Sequence, residues 1–168
     1  AWGVKIEYVY EDKPLGTAGS IGLLPKNLPK LPIIMMNGDI LTKVNFEHLL
    51  AFHEQQDGVA TMCIREHEVL VPFGVVTVDE QQIKSIVEKP IKKFFVNAGI
   101  YVLEPELVNK VNTNKPLDMP NFLEGQIEVG KAVSVFPIHE YWLDIGHMKE
   151  FNKANQDIDS LFKQMNLK

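Results

Sequence analysis

Four charged side chains stand out by type and placement: Asp39, Glu88, Lys89 and Asp144. Asp39 closes Asn37-Gly38-Asp39 directly after the apolar run Leu31-Pro32-Ile33-Ile34-Met35-Met36. Asn-Gly-Asp is good turn chemistry, so Asp39 reads either as a turn residue or as a carboxylate held at a site by a stiff strand. Asp144, in Trp142-Leu143-Asp144-Ile145-Gly146, reads either as the N-cap of a following helix or as a second such carboxylate. Two carboxylates brought together repel one another unless a cation lies between them. Magnesium suits that place, because it takes one or two carboxylates and keeps positions for water and phosphate oxygens. Lys89 offers a point charge for a phosphate, and Glu88 beside it offers an acceptor for hydroxyl groups. Pro90 ends that strand and sets the chain direction after Lys89.

A fifth segment, Leu15-Gly16-Thr17-Ala18-Gly19-Ser20, is rich in small residues between a strand pattern and a helix pattern. Its glycines do not follow GxGxxG, and no Gly-Lys-Ser/Thr follows to make a P-loop. It reads either as close helix packing through Gly19 and Gly22 or as a flat backbone wall against a planar ring. The five histidines show no HExxH spacing, and Cys63 is the only cysteine, so no zinc site is expected. With no G-x-S-x-G elbow either, the chain offers no obvious nucleophile or imidazole base.

The elements that must position these groups alternate between strand and helix patterns. Strands are expected at Val4–Tyr10, Leu31–Met36, Val59–Arg65, Phe94–Leu103, Ala132–Pro137 and Tyr141–Asp144, with a hairpin from Phe73–Val78 and Gln82–Glu88. Helices are expected at Thr17–Leu24, from an Asn45 N-cap to Gln56, after Glu104-Pro105-Glu106, at Pro120–Val129, and from Met148 to Phe162. The continuous apolar run before Asn37 resembles a strand buried on both faces of a parallel sheet. The pattern predicts one α/β domain with a mixed, mostly parallel sheet flanked by helices. In such sheets ligands bind beyond the carboxyl ends of strands, where Asp39, Glu88-Lys89 and Asp144 all fall.

Composition narrows the function classes. The 168 residues are 45% apolar and 23% charged, which excludes a disordered chain, and one cysteine excludes a disulfide scaffold. A domain near this length buries roughly 70% of its unfolded surface, so a core is expected. No apolar run approaches the ~18 residues of a membrane span. A net charge of -5 argues against a nucleic-acid partner, since the densest basic cluster is only Lys89, Lys92 and Lys93. The lone thiol and the lack of a signal pattern lead to an expectation of a cytoplasmic protein. The opening Ala1-Trp2-Gly3 runs at once into a strand pattern, as in a piece of something longer.

Taken in order, six segments resemble the sugar-phosphate nucleotidyltransferase family: Glu11-Asp12-Lys13-Pro14-Leu15-Gly16-Thr17-Ala18-Gly19, Asn37-Gly38-Asp39, Phe73-Gly74-Val75-Val76, Glu88-Lys89-Pro90, Asn97-Ala98-Gly99-Ile100-Tyr101-Val102 and Trp142-Leu143-Asp144-Ile145-Gly146. The wording is nearest the mannose-1-phosphate guanylyltransferase-like and glucose-1-phosphate nucleotidyltransferase branches. The resemblance implies a Rossmann-like nucleotide-diphospho-sugar transferase fold and the joining of a sugar 1-phosphate to a nucleoside triphosphate, with release of pyrophosphate. It implies that Asp39 and Asp144 hold magnesium and that Lys89 grips the sugar phosphate. Gly74, Glu88 and Asn97 would line the sugar pocket; Leu15, Gly16, Thr17, Ala18 and Gly38 would position the nucleoside. A phosphate monoester has a second pKa of about 6, so this reaction needs no general base.

The family's Gly-rich G-G-x-G-T-R-L loop is not in this sequence. The chain is therefore expected to be a single partial domain over residues 1–168, the C-terminal two-thirds, with helix and tail from 147 to 168. Such a piece should expose strand edges and self-associate. The alternative carried alongside is a noncatalytic nucleotidyltransferase-like regulatory or binding subunit.

Overall fold

A computed structural model describes residues 3–25, 27–111 and 115–161. The expected end of the last helix and the tail after it, residues 162–168, and the opening Ala1-Trp2 lie outside the described residues. The architecture is three layers around one four-stranded sheet, in the order β1 (Ile33–Met36), β6 (Ile91–Leu103), β3 (Ala60–Leu70), β7 (Val133–Pro137). Two ribbons complete the strands: β2 (Ile40–Thr42) with β8 (Trp142–Asp144), and β4 (Val75–Asp79) with β5 (Gln82–Val87).

Strand β6 is the centre of the molecule because residues 98–103 are buried on both faces. Tyr101 and Leu103 point to one side, where they pack with Ala18, Ile21, Leu107, Met119, Phe122 and Leu123. Ala98, Ile100 and Val102 point to the other, against Val44, Leu49, Cys63 and Ile138. This is the two-residue period of a strand used on both faces. The first layer is α1 (Gly16–Gly19), its 3₁₀ continuation Ser20–Leu23, and α3 (Met119–Glu128). The second is α2 (Phe46–Glu54), whose Asn45 cap accepts a hydrogen bond from the His48 amide at 3.0 Å. Burying a large apolar side chain such as Leu49 or Leu107 is worth about 1.5–3 kcal/mol, so these layers hold the sheet.

The expected mostly parallel sheet is corrected. Only β3–β7 is parallel; β1–β6 and β3–β6 are antiparallel. The reason lies in the chain path. β3 runs out, the β4–β5 hairpin turns the chain, and β6 returns beside β3. Since β6 sits between β1 and β3, one reversed strand makes two of the three neighbouring pairs antiparallel.

A second correction concerns Val4–Tyr10. Its alternation is that of a strand, yet residues 5–10 have no ladder partner among the described residues, and Tyr8 and Tyr10 are 93% and 84% exposed. Alternation alone does not make a strand; a neighbouring backbone must take the hydrogen bonds.

The β3–β6 pair outgrows the sheet. It runs from Ala60↔Leu103 to Leu70↔Ile91, while β7 covers only Ala60–Ile64 and β1 only Ile100–Leu103. The outer half is thus a two-stranded arm, with the β4–β5 hairpin following at its tip. Lys93 spans the arm to Glu66 and Glu68 at 2.8 and 3.0 Å. The final helix α4 (Met148–Leu161) is tied to the start of β8 by a 2.8 Å bond from the Tyr141 hydroxyl to Asp157.

Candidate functional site

The carboxylates Asp39 and Asp144 are brought together by a ribbon that the sequence did not announce. The three residues Ile40–Thr42 pair antiparallel with Trp142–Asp144, setting Ile40 opposite Asp144. The Ile145 amide then donates to the Asp39 carbonyl at 2.8 Å, and the Gly146 amide to Asp144 Oδ1 at 2.9 Å. That second bond makes Asp144 a turn residue in its own loop rather than the cap of α4, which begins four residues later. A Cβ on Gly146 would meet Asp144 Oδ1 at 3.1 Å and Asp39 Oδ2 at 3.9 Å. Both carboxylate oxygens therefore lie near one point, on an exposed surface, and neither carboxylate is ion-paired among the described residues. Two carboxylates are the number of protein donors magnesium commonly takes, the rest of its shell being water and substrate oxygens; among the described residues no group of three or more His, Cys, Asp or Glu that could hold a metal is gathered.

The loop that carries Asp39 is anchored to β6. The Asn37 amide donates to the Gly99 carbonyl at 2.9 Å, and the Asn37 side chain fills the space beside Gly99, where a Cβ would meet its Nδ2 at 2.9 Å. Gly99 has φ +69, so both conformation and crowding demand glycine there. Asn97 accepts from the Gly99 amide at 3.0 Å and donates to the Tyr101 hydroxyl at 2.6 Å. Burial pushes the Tyr101 phenol above its usual range, while the Asn97 bond pulls the other way. Asn97 thus supports the stretch of β6 where the β3 ladder slips between Met62↔Tyr101 and Ile64↔Asn97, and it is itself exposed.

Gly74, Glu88 and Lys89 meet at the base of the hairpin. A Cβ on Gly74 would lie 3.0 Å from Glu88 Oε2, so the missing side chain leaves room for that carboxylate. Lys89 has φ +44 and donates its amide to the Phe73 carbonyl at 3.2 Å. A non-glycine residue held left-handed costs roughly 1–2 kcal/mol, and such strain persists where the surrounding structure fixes it. Its ammonium has no ion-pair partner among the described residues, unlike that of Lys93.

The Leu15–Ala18 segment docks on the start of α3. Ala18 and Gly19 amides donate to the Leu117 carbonyl at 2.8 and 3.0 Å. The Thr17 amide donates to Asp118 Oδ1 at 3.2 Å, and the Met119 amide to Thr17 Oγ1 at 2.8 Å. A Cβ on Gly16 would collide with Asp118 and Leu117 at 2.7 Å. Close packing therefore holds at Gly19, as expected, and also at Gly16, which is not among the expected glycines, while Leu15, Gly16 and Thr17 keep solvent-facing surface and Ala18 is buried. Gly38 is exposed with nothing within 4 Å of its Cβ position.

The carboxylate pair and the hairpin cluster form two separate groups of contacts, and neither lies in the recesses of about 470 and 480 Å³ beside Glu104 and Arg65. Cys63 is buried; desolvation first, then Glu140, pushes its thiol up to about 12, so it is no nucleophile at neutral pH. The residues that sequence reasoning passed over are Asn37, Gly99 and Gly146, which place the carboxylates. Their signal was present in the motifs as the amide and glycines flanking the charged positions.

The described chain is thus an α/β framework with two carboxylates gathered by a short ribbon and a lysine at the base of a hairpin. Residues 1–160 match the nucleotidyl transferase family model, and the chain belongs to that family. It is 31% identical over 157 residues to a mannose-1-phosphate guanyltransferase of Debaryomyces hansenii, covering 89% of this chain and 43% of that protein. A mannose-1-phosphate guanylyltransferase catalytic subunit beta of Dictyostelium discoideum matches at 31% over 156 residues with the same coverage. The chain thus spans less than half the length of these relatives. Among solved structures, HddC from Yersinia pseudotuberculosis superposes with a TM-score of 0.66 at 23% identity, covering 93% of this chain and 68% of that one. That likeness supports the fold. Among the described residues, no helix is long and apolar enough to cross a membrane.

Proposed function

We propose that this chain carries the metal and sugar-phosphate half of a sugar-1-phosphate nucleotidyltransferase site. The reaction is transfer of a nucleoside monophosphate from a triphosphate to a sugar 1-phosphate, giving an NDP-sugar and pyrophosphate. A GDP-mannose-type product is favoured, because the relatives named above are mannose-1-phosphate guanyltransferases. The observation that carries the reading is the convergence of Asp39 and Asp144 beside Gly146.

The sugar phosphate is itself the nucleophile and is largely deprotonated near pH 7. What remains for the protein is alignment and charge neutralisation. Magnesium held by Asp39 and Asp144 would supply charge for the phosphate oxygens. Lys89 would hold the sugar phosphate, its backbone fixed by the bond to Phe73. Glu88 would accept sugar hydroxyls in the space that Gly74 leaves open. Asn97 would face the sugar from the irregular stretch of β6, and Gly38 with Leu15, Gly16 and Thr17 would border the nucleoside, with Ala18 packed beneath them in the core.

The test is a pyrophosphate-release screen of NTPs against sugar 1-phosphates. The chain alone should turn over weakly, because no Gly-rich triphosphate loop is present in it. In an enzyme with that loop supplied, the Asp144→Ala change should abolish turnover with folding intact. Near wild-type NDP-sugar synthesis by that variant would overturn the metal assignment. A noncatalytic binding subunit is the second reading; the retained Asp39, Lys89 and Asp144 weigh against it.

A further inference from the structure

We infer that Arg65 is a positioning residue that locks the carboxylate ribbon to the β3–β6 arm, a role resting on the site proposed above. Arg65 lies on β3 just where β7 stops and the unsupported arm begins, opposite Val96 of β6. Its guanidinium makes two contacts with one short stretch of chain. Nη1 donates to the Glu140 carbonyl at 2.8 Å, and the group lies 5.9 Å from the centre of the Trp142 ring. The edge of the same indole is pinned as well, since Trp142 Nε1 donates to the Ala98 carbonyl of β6 at 2.8 Å.

Trp142 opens β8, and β8 ends at Asp144, whose turn brings its carboxylate beside that of Asp39. The ribbon has only three residues in each strand and forms no ladder with the main sheet. A ribbon of that size is marginal alone, so its orientation rests on what grips it from outside. Arg65 grips it from β3, and Ala98 from β6. The same two strands lead outward to the hairpin that bears Gly74, Glu88 and Lys89. One side chain therefore joins the carboxylates to the arm that carries the sugar-phosphate residues. The job suits arginine, because a flat guanidinium can lie over an aromatic ring while its fork donates to a carbonyl. A lysine ammonium is a compact point charge with neither the flat face nor the fork.

The experiment uses ¹⁵N-labelled chain in a Trp2→Phe background, leaving the Trp142 indole N–H as the sole indole signal. Mn²⁺ is titrated as a paramagnetic probe of the carboxylate pair, and melting temperature is read in parallel. In the parent, Mn²⁺ should broaden the indole signal, and Asp144→Asn should abolish the effect. Arg65→Met should shift the indole signal and raise the Mn²⁺ concentration for half-broadening by roughly tenfold, with the protein still folded. Arg65→Lys should behave like Arg65→Met. Unchanged indole shift and Mn²⁺ response in Arg65→Met would overturn the role of Arg65 while leaving the metal pair standing. Full rescue by Arg65→Lys would also overturn it, because charge alone would then suffice. Absence of broadening in the parent, or its survival in Asp144→Asn, would count against the metal reading itself. In that event an indole shift in both Arg65 variants would still support the clamp, and no shift would reject it.

Discussion

At the scale of single residues, the site is paid for in backbone strain at Lys89. Its φ of +44 is a conformation that glycine adopts freely and lysine does not. Two substitutions separate the side chain from the strain. Lys89→Gly and Lys89→Ala should both weaken sugar-phosphate binding, but only the first relieves the backbone. Lys89→Gly should therefore be more stable than Lys89→Ala by about 1 kcal/mol, read as a difference in denaturation midpoint. Equal stability would mean that the left-handed turn costs nothing here. Residues of this kind were the easiest to pick from the sequence and the hardest to assign. Asp39 and Asp144 each had a plain turn or cap reading, and only the hydrogen bond between Ile145 and Asp39 shows that the two turns are the two sides of one feature.

At the scale of elements, α4 is fastened to the carboxylate ribbon through Tyr141. Burial, and then the hydrogen bond to Asp157, push its phenol up to about 12 from 10.0. The folded chain then keeps this proton where the unfolded chain loses it. The contribution to stability is full below pH 10 and is lost as pH rises toward 12. Chemical denaturation between pH 9 and 11 should show a falling midpoint in the parent and a shallower fall in Tyr141→Phe. Identical slopes would remove Tyr141 as the source. Most elements were legible beforehand because their patterns are strong: the Asn45 cap, the Pro105 turn and the β4–β5 hairpin all stand close to their expected places. The β2 strand was not, since three residues carry no readable period. Val4–Tyr10 misled for the opposite reason, having the period but no partner. The sheet direction misled as well, and so did the expected burial of the run before Asn37: apolar residues in a row report neither the sense of a neighbouring strand nor cover on both faces, and β1 alternates half-buried with exposed positions.

At the scale of the whole molecule, the sheet ends on one side at β1, which pairs only with β6 among the described strands. Ile34 and Met36 on that strand are 37% and 43% exposed, and Leu31 just before it is 64% exposed. An apolar edge of this kind is a template for pairing with another chain. Sedimentation velocity should show concentration-dependent self-association, reduced by Ile34→Lys on β1. A single monomeric species over the whole range would contradict that. Whether carboxylates and lysine together serve a metal-bound phosphate ligand is read out by calorimetric titration with a GDP-hexose. Binding should require Mg²⁺, and should be lost in Asp144→Ala and weakened in Lys89→Ala. Binding of equal strength without Mg²⁺, or unaltered in both variants, would mean that Asp144 and Lys89 do not serve such a ligand.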